Sequence, residues 1–135
     1  MRARRLGAIA VGAVAGGALR WLALSGLGGD PYAALLLVNT AASGVLGWLQ
    51  AAVRGGRWVR RDAADLIGAG FCGTLSTWSA LAVRLGDDLL DGSVARAVAW
   101  GGASIAAGVS AAWAGARLQR GRGAAPPAVG PEASA

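Results

Sequence analysis

The sequence predicts an all-α membrane protein: four transmembrane helices, the third broken in mid-membrane. Three observations carry this expectation. The chain of 135 residues is 55% hydrophobic and only 15% charged, too apolar for disorder. Its apolar character comes from 33 Ala, 23 Gly and many Leu and Val rather than from aromatic residues, since there are six Trp but one Phe, one Tyr and one Met. That is the composition of membrane helices more than of a soluble core. Third, the apolar residues fall into four long uncharged runs, and a helix needs about 20 such residues to cross a bilayer.

The first span is placed at residues 6–27, interrupted by Arg20. The basic segment before it, residues 1–5, resembles the start of a signal peptide, but Arg20 would break the apolar region and three further spans follow. The second span, residues 31–53, contains no charge. The third is built on the uncharged run 66–83 and set at residues 64–85; the fourth, on the run 97–116, is set at 95–117. None alternates with period two, so barrel strands are excluded and helices remain. A turn at residues 28–31 joins the first two spans, residues 54–62 the next two, and residues 86–93 the last two. The transmembrane domain is thus residues 1–120, and the Pro-, Ala- and Gly-rich residues 121–135 form an expected disordered tail.

Charge sets the orientation. All thirteen basic residues are Arg, and the net charge is +6. Ten lie on the side of the two termini, and only Arg84 and Arg96 on the other. The positive-inside rule places both termini in the cytoplasm of a multi-pass protein of the cell membrane. Arg clusters between apolar runs, without a basic stripe or interleaved aromatics, exclude nucleic acid as a partner. His is absent and Cys72 is the single cysteine, which excludes a disulfide framework, a zinc site and a His- or Cys-based triad. With no nucleophile–base pair or metal cluster, the chain is not expected to be an enzyme. No Asp, Glu, His or Lys lies mid-span, against proton-coupled transport and against the small multidrug exporters, whose first helix carries a Glu.

The informative residues are those that lipid rejects. A central Arg costs about 2.5–3.5 kcal/mol on insertion scales, so Arg20 either snorkels to an interface or faces a vestibule or partner. Gly12, Gly16 and Arg20 share one helix face, as do Asn39, Ser43 and Gly47, and Ser104 and Gly108 repeat the spacing. Small residues at this interval let helices approach closely in lipid. Asn39 offers amide donors without charge, suited to holding an anion weakly, or to an interhelical hydrogen bond. Residues 68–79 carry three Gly, four hydroxyls and a thiol. Such a segment either unwinds, freeing carbonyls to ligate a small hard cation, or back-bonds its hydroxyls within an ordinary helix.

These residues resemble the CrcB/Fluc fluoride channel family over most of the chain. Gly16-Gly17-Ala18-Leu19-Arg20-Trp21 resembles its Gly-Gly…Arg-aromatic segment, and Val38-Asn39-Thr40-Ala41-Ala42-Ser43-Gly44 its pore-Asn run. Gly70-Phe71-Cys72-Gly73-Thr74-Leu75-Ser76-Thr77-Trp78-Ser79 resembles Gly-Phe-Cys-Gly-Gly-Leu-Thr-Thr-Phe-Ser, a specific motif. Trp100, Ser104 and Gly108 resemble its Tyr-x3-Ser-x3-Gly/Ser pattern. The resemblance implies an antiparallel dual-topology-type dimer that exports cytoplasmic fluoride passively and so lowers its toxicity. It also implies a structural Na+ at the dimer centre, not transported, on the backbone carbonyls of Gly73 and Ser76. The pore residues it implies are Asn39, Thr77, Trp78, Ser79, Leu81, Trp100 and Ser104, with Arg20 in a structural or vestibule role. Two departures stand out: the family's pore Phe positions fall on Trp78 and Leu81. A phenyl ring presents a positive edge to an anion; Trp78 can do so, Leu81 cannot. The alternatives are a divergent subunit functional only beside an oppositely oriented paralogue, or a non-conducting membrane protein or small-molecule exporter.

Overall fold

The computed structural model describes residues 2–26, 30–55 and 60–121. These form four helices long and apolar enough to cross a membrane, with no strand among the described residues: α1 (Arg2–Gly26), α2 (Pro31–Arg54), α3 (Arg61–Leu90) and α4 (Val94–Gly121). Each spreads beyond its apolar run into the flanking charges, because a helix ends where a cap stops it and not where hydrophobicity does. Residues 27–29, 56–59 and 122–135, including most of the expected tail, lie outside the described residues.

Local signals explain the boundaries. Asp30 caps α2, its carboxylate accepting from the Tyr32 N–H at 2.9 Å, with Pro31 in the first turn. The expected connection at residues 86–93 is shorter than the sequence reading placed it, because α3 runs on to Leu90. There the Ser93 N–H reaches the Asp88 carbonyl at 2.7 Å and the Gly92 N–H the Leu89 carbonyl at 3.1 Å. This paired closure needs a left-handed residue, supplied by Gly92 at φ 74°. No L side chain adopts that conformation cheaply, so Gly92 sets the end of α3.

α3 is not uniform. After one α-helical turn, Asp65–Cys72 is wound as a π-helix, with the Gly73 N–H reaching back to the Gly68 carbonyl, and Gly73–Leu75 returns to α geometry. Helical geometry then stops at Ser76 and Thr77 and resumes at Trp78–Leu90. Widened turns of this kind cluster at functional sites.

The helices pair as α1 with the first half of α3 and α2 with α4. Both seams are made by small residues. A Cβ on Gly70 would meet the Ile9 carbonyl at 2.5 Å, and one on Gly12 would run into the Leu66 carbonyl. Across the other seam, Gly47 lies on the Ala112 backbone and Gly115 on that of Gly44. Where these pairs meet, Val38, Ala42, Cys72 and Leu75 form a small buried cluster edged by Ala23, Ile67 and Phe71. Large apolar side chains such as Val14, Trp21, Val98 and Val109 point outward, the distribution of a protein solvated by lipid.

Candidate functional site: an interrupted helix beside a polar groove

The interruption in α3 is held open from α2. Ser76 (φ −75°, ψ 150°) and Thr77 (φ −149°, ψ 113°) are extended. In an unbroken helix the Thr77 N–H would bond the Gly73 carbonyl. Instead it donates to Asn39 Oδ1 at 2.7 Å, while Asn39 Nδ2 donates to the Thr77 carbonyl at 3.3 Å. One carboxamide thus takes both backbone groups of a buried residue, the role a strand neighbour plays in a sheet. Thr77 also starts the second half of α3, its Oγ1 accepting from the Ala80 N–H at 3.2 Å. That amide would otherwise close on the Ser76 carbonyl. The interruption therefore removes the helical amide donors of the carbonyls of residues 73–76; for Gly73 and Ser76 the amides concerned, those of Thr77 and Ala80, are bound to side chains instead. Neutral carbonyl oxygens freed in this way could hold a small hard cation.

Both expected behaviours of the hydroxyls occur together. Thr74 Oγ1 lies 2.9 Å from the Gly70 carbonyl, one turn back, and 3.0 Å from the Ala13 carbonyl of α1. Ser76 Oγ back-bonds to the Cys72 carbonyl at 2.9 Å. The hydroxyls satisfy the last turn before the interruption, and the interruption still follows one residue later.

Beside it, between α2, α3 and α4, lies a groove of about 440 Å³. Five of the seven pore residues expected from the sequence line it: Asn39, Thr77, Trp78, Leu81 and Ser104. Ser76 lines it too, and so does Ser43, which the sequence places on the packing face of α2 and in the run around Asn39. Its walls are mostly apolar with a few hydroxyls and one amide. The two departures behave differently: Leu81 is 2% exposed, Trp78 65%. Leu81 packs inside its own chain, whereas Trp78 projects outward. Ser79 is exposed, its Oγ 3.3 Å from Thr77 Oγ1, so it sits at the rim. Gly73 is exposed and not in the groove, and a Cβ there would meet the Gly68 carbonyl at 3.8 Å, an ordinary contact.

The remaining two expected residues lie elsewhere. Arg20, on α1, is half-buried and has no carboxylate partner among the described residues. Trp100 lines a separate hollow of about 680 Å³ where α2 and α4 begin and α3 ends, its ring stacked on Tyr32 with centroids 4.9 Å apart. That hollow holds a group the sequence reading did not find: Asp88, 3% exposed, between Arg96 and Tyr32. The reading had placed Asp88 in a connection, and no spacing rule joins a Tyr to a carboxylate 56 residues away.

The family model described as "CrcB-like protein, Camphor Resistance (CrcB)" matches residues 7–116, which include all four helices in large part. The chain is similar to the fluoride-specific ion channel FluC 2 of Corynebacterium diphtheriae, at 38% identity over 82% of this chain and 97% of that protein. It is similar also to FluC 2 of Rhodococcus jostii, at 36% identity over 82% of this chain and 94% of the relative. FluC 2 of Parasynechococcus marenigrum is 35% identical over 83% of this chain and 78% of its own length. The match over residues 7–116 and identities of 36–38% over most of the chain show that it belongs to a family of ion channels rather than enzymes, the CrcB/Fluc family of fluoride channels.

Proposed function

We propose that the chain is one subunit of a fluoride-specific channel that lets cytoplasmic fluoride leave down its gradient. The observation that carries this is the Asn39–Thr77 pairing, which opens α3 beside a groove lined by Ser43, Thr77 and Ser104. A small anion needs donors to replace its water, but weak ones, or it does not leave again. Hydroxyls, one carboxamide N–H and the ring edge of Trp78 meet that requirement; a cationic side chain in the groove would bind too tightly. The names of the three relatives specify fluoride. The interruption sits at mid-membrane in this reading, and both termini are cytoplasmic.

The carbonyls of Gly73 and Ser76 would hold a structural Na+ where two antiparallel subunits meet, one subunit supplying half of the ligands. Such an ion supplies fixed positive charge that offsets converging carbonyl dipoles. The chain's own contribution is to divert the amides of Thr77 and Ala80, which leaves those oxygens free.

The test is fluoride efflux from liposomes containing the purified chain, followed with a fluoride electrode against chloride efflux. Fluoride-selective flux is expected; its absence both alone and with a candidate partner overturns the reading.

A second reading is favoured by a specific pair of observations. Ten Arg on one side against two on the other disfavour insertion of the same chain both ways. Trp78 points out of the chain while Leu81 is buried within it, so a facing subunit would have to supply the second aromatic edge. In this reading the dimer is formed with an oppositely oriented paralogue, and flux appears only when both are reconstituted.

A further inference from the structure

The hollow at the start of α2 and α4 is built around a buried charge. Asp88 Oδ1 accepts from Arg96 Nε at 2.8 Å and from Arg96 Nη2, while its Oδ2 accepts from the Tyr32 hydroxyl at 2.5 Å. A carboxylate at 3% exposure is tolerated only when paired and hydrogen-bonded. These contacts join three helices: Tyr32 is in the first turn of α2, Asp88 in the last turn of α3 and Arg96 in the first turn of α4. The Tyr32 ring in turn lies flat on Trp100, the two planes 7° apart. Trp100 is one helical turn from Ser104, and Tyr32 two turns from Asn39, each on the groove-lining face of its helix. Along α2 and α4 the stacked pair therefore stands on the hollow side of the groove, lining the first and lying next to the residues that line the second.

We propose that Asp88 is a positioning residue for the ion path: by gripping the Tyr32 hydroxyl and Arg96 it holds the indole of Trp100 at the mouth opposite the termini. This rests on the reading of the groove as the fluoride path. A ring free to turn could switch between plugging that mouth and leaving it wet; one clamped through Tyr32 keeps a single position. The clamp acts by geometry, since Asp88 is covered by its partners and presents no free oxygen to a passing anion.

The experiment uses the full chain labelled with fluorotryptophan, its partner added if flux requires one. Fluorine NMR in micelles reports each indole, and Trp100→Phe identifies the Trp100 resonance. Tyr32→Phe keeps the stack and the Asp88–Arg96 pair but removes the hydroxyl, which donates to Asp88 Oδ2 and also lies 2.8 Å from the Arg84 carbonyl; Asp88→Asn keeps the shape but removes the charge. Both are expected to shift or broaden the Trp100 resonance while leaving that of Trp113 in place. Both should slow fluoride efflux about tenfold, the order of one charge-assisted hydrogen bond. In a Trp100→Ala background, Tyr32→Phe should add nothing further, the coupling that a merely structural role would not show. An unmoved Trp100 resonance, or undiminished additive loss in that background, overturns the proposal. If Asp88→Asn fails to fold, Tyr32→Phe decides alone. A wild-type chain silent towards fluoride with and without a partner would overturn the channel reading, and the resonance would still decide whether Asp88 positions Trp100.

Discussion

Asn39 does the work of a missing helical turn. Its carbonyl takes the Thr77 N–H, which has lost its helical acceptor, and its amino group adds a bond to the Thr77 carbonyl at the start of the second half of α3. An Asp at that position could still accept from the Thr77 N–H but could not donate to the carbonyl, and it would set a negative charge beside the groove. Losing one such hydrogen bond costs about 0.5–1.5 kcal/mol. Asn39→Asp is therefore expected to lower thermal stability by that order and to abolish fluoride efflux, measured by electrode on liposomes. Unchanged efflux would remove Asn39 from the ion path and leave it only the role of prop. Thr74 is the comparison at the same scale: Thr74→Ser keeps a hydroxyl between Gly70 and Ala13 and should be nearly neutral, where Thr74→Ala should cost about 1 kcal/mol in an unfolding titration.

At the scale of elements, the two helix pairs rest on backbone-to-backbone approach. Gly12 and Gly115 have no room for a methyl group because a carbonyl of the facing helix occupies that space. Gly17, on the same α1 helix, meets nothing within 4 Å. Gly12→Ala and Gly115→Ala are expected to destabilise by about 1–3 kcal/mol through overpacking, and Gly17→Ala to be neutral or slightly stabilising; thermal unfolding in detergent separates them. The interruption in α3 permits a different comparison. A Cβ on Gly73 would meet no atom of its own chain closer than the Gly68 carbonyl at 3.8 Å. Gly73→Val should thus leave the isolated subunit folded, yet abolish sodium-dependent stabilisation and dimerisation if the Gly73 carbonyl is a ligand between subunits. Ser76→Ala removes only a back-bond to Cys72 and should retain both. Size-exclusion chromatography and melting with and without sodium give the answer, and a Gly73→Val chain that still responds to sodium would move the ion elsewhere.

For the whole molecule, charge and topology are the questions. At the end carrying the termini, Arg4 pairs with Asp62 at 3.2 Å and Arg5 with Asp65 at 2.5 Å, tying α1 to α3. Exposed pairs contribute about 0–1 kcal/mol, so they dress this end without holding it together. Nor do the two carboxylates cancel the orientation signal, because acidic residues count little towards it. A reporter fused to the C-terminus is expected to be active only in its cytoplasmic form. Comparable populations on both sides of the membrane would refute fixed orientation and restore a homodimer of one sequence.

Composition by itself determined that this chain has four apolar helices, because long uncharged runs have only one way to satisfy their backbone in lipid. The cluster of Gly and hydroxyl residues at 68–79 marked where α3 departs from a regular helix, since that is a local property of side chains lacking bulk. The tertiary structure alone decided the rest. The interruption falls at Ser76 and Thr77 because Asn39, 38 residues away, captures the Thr77 backbone. α3 continues to Leu90 because Gly92 closes it and Asp88 is gripped from α2 and α4. Trp100 stacks on Tyr32 and lines a second hollow, while Leu81 lines the groove from a position buried within its own chain. Hydrophobicity is written one residue at a time and can be read so; which helix faces which depends on the shapes of surfaces far apart in sequence, and those exist only once the chain has folded.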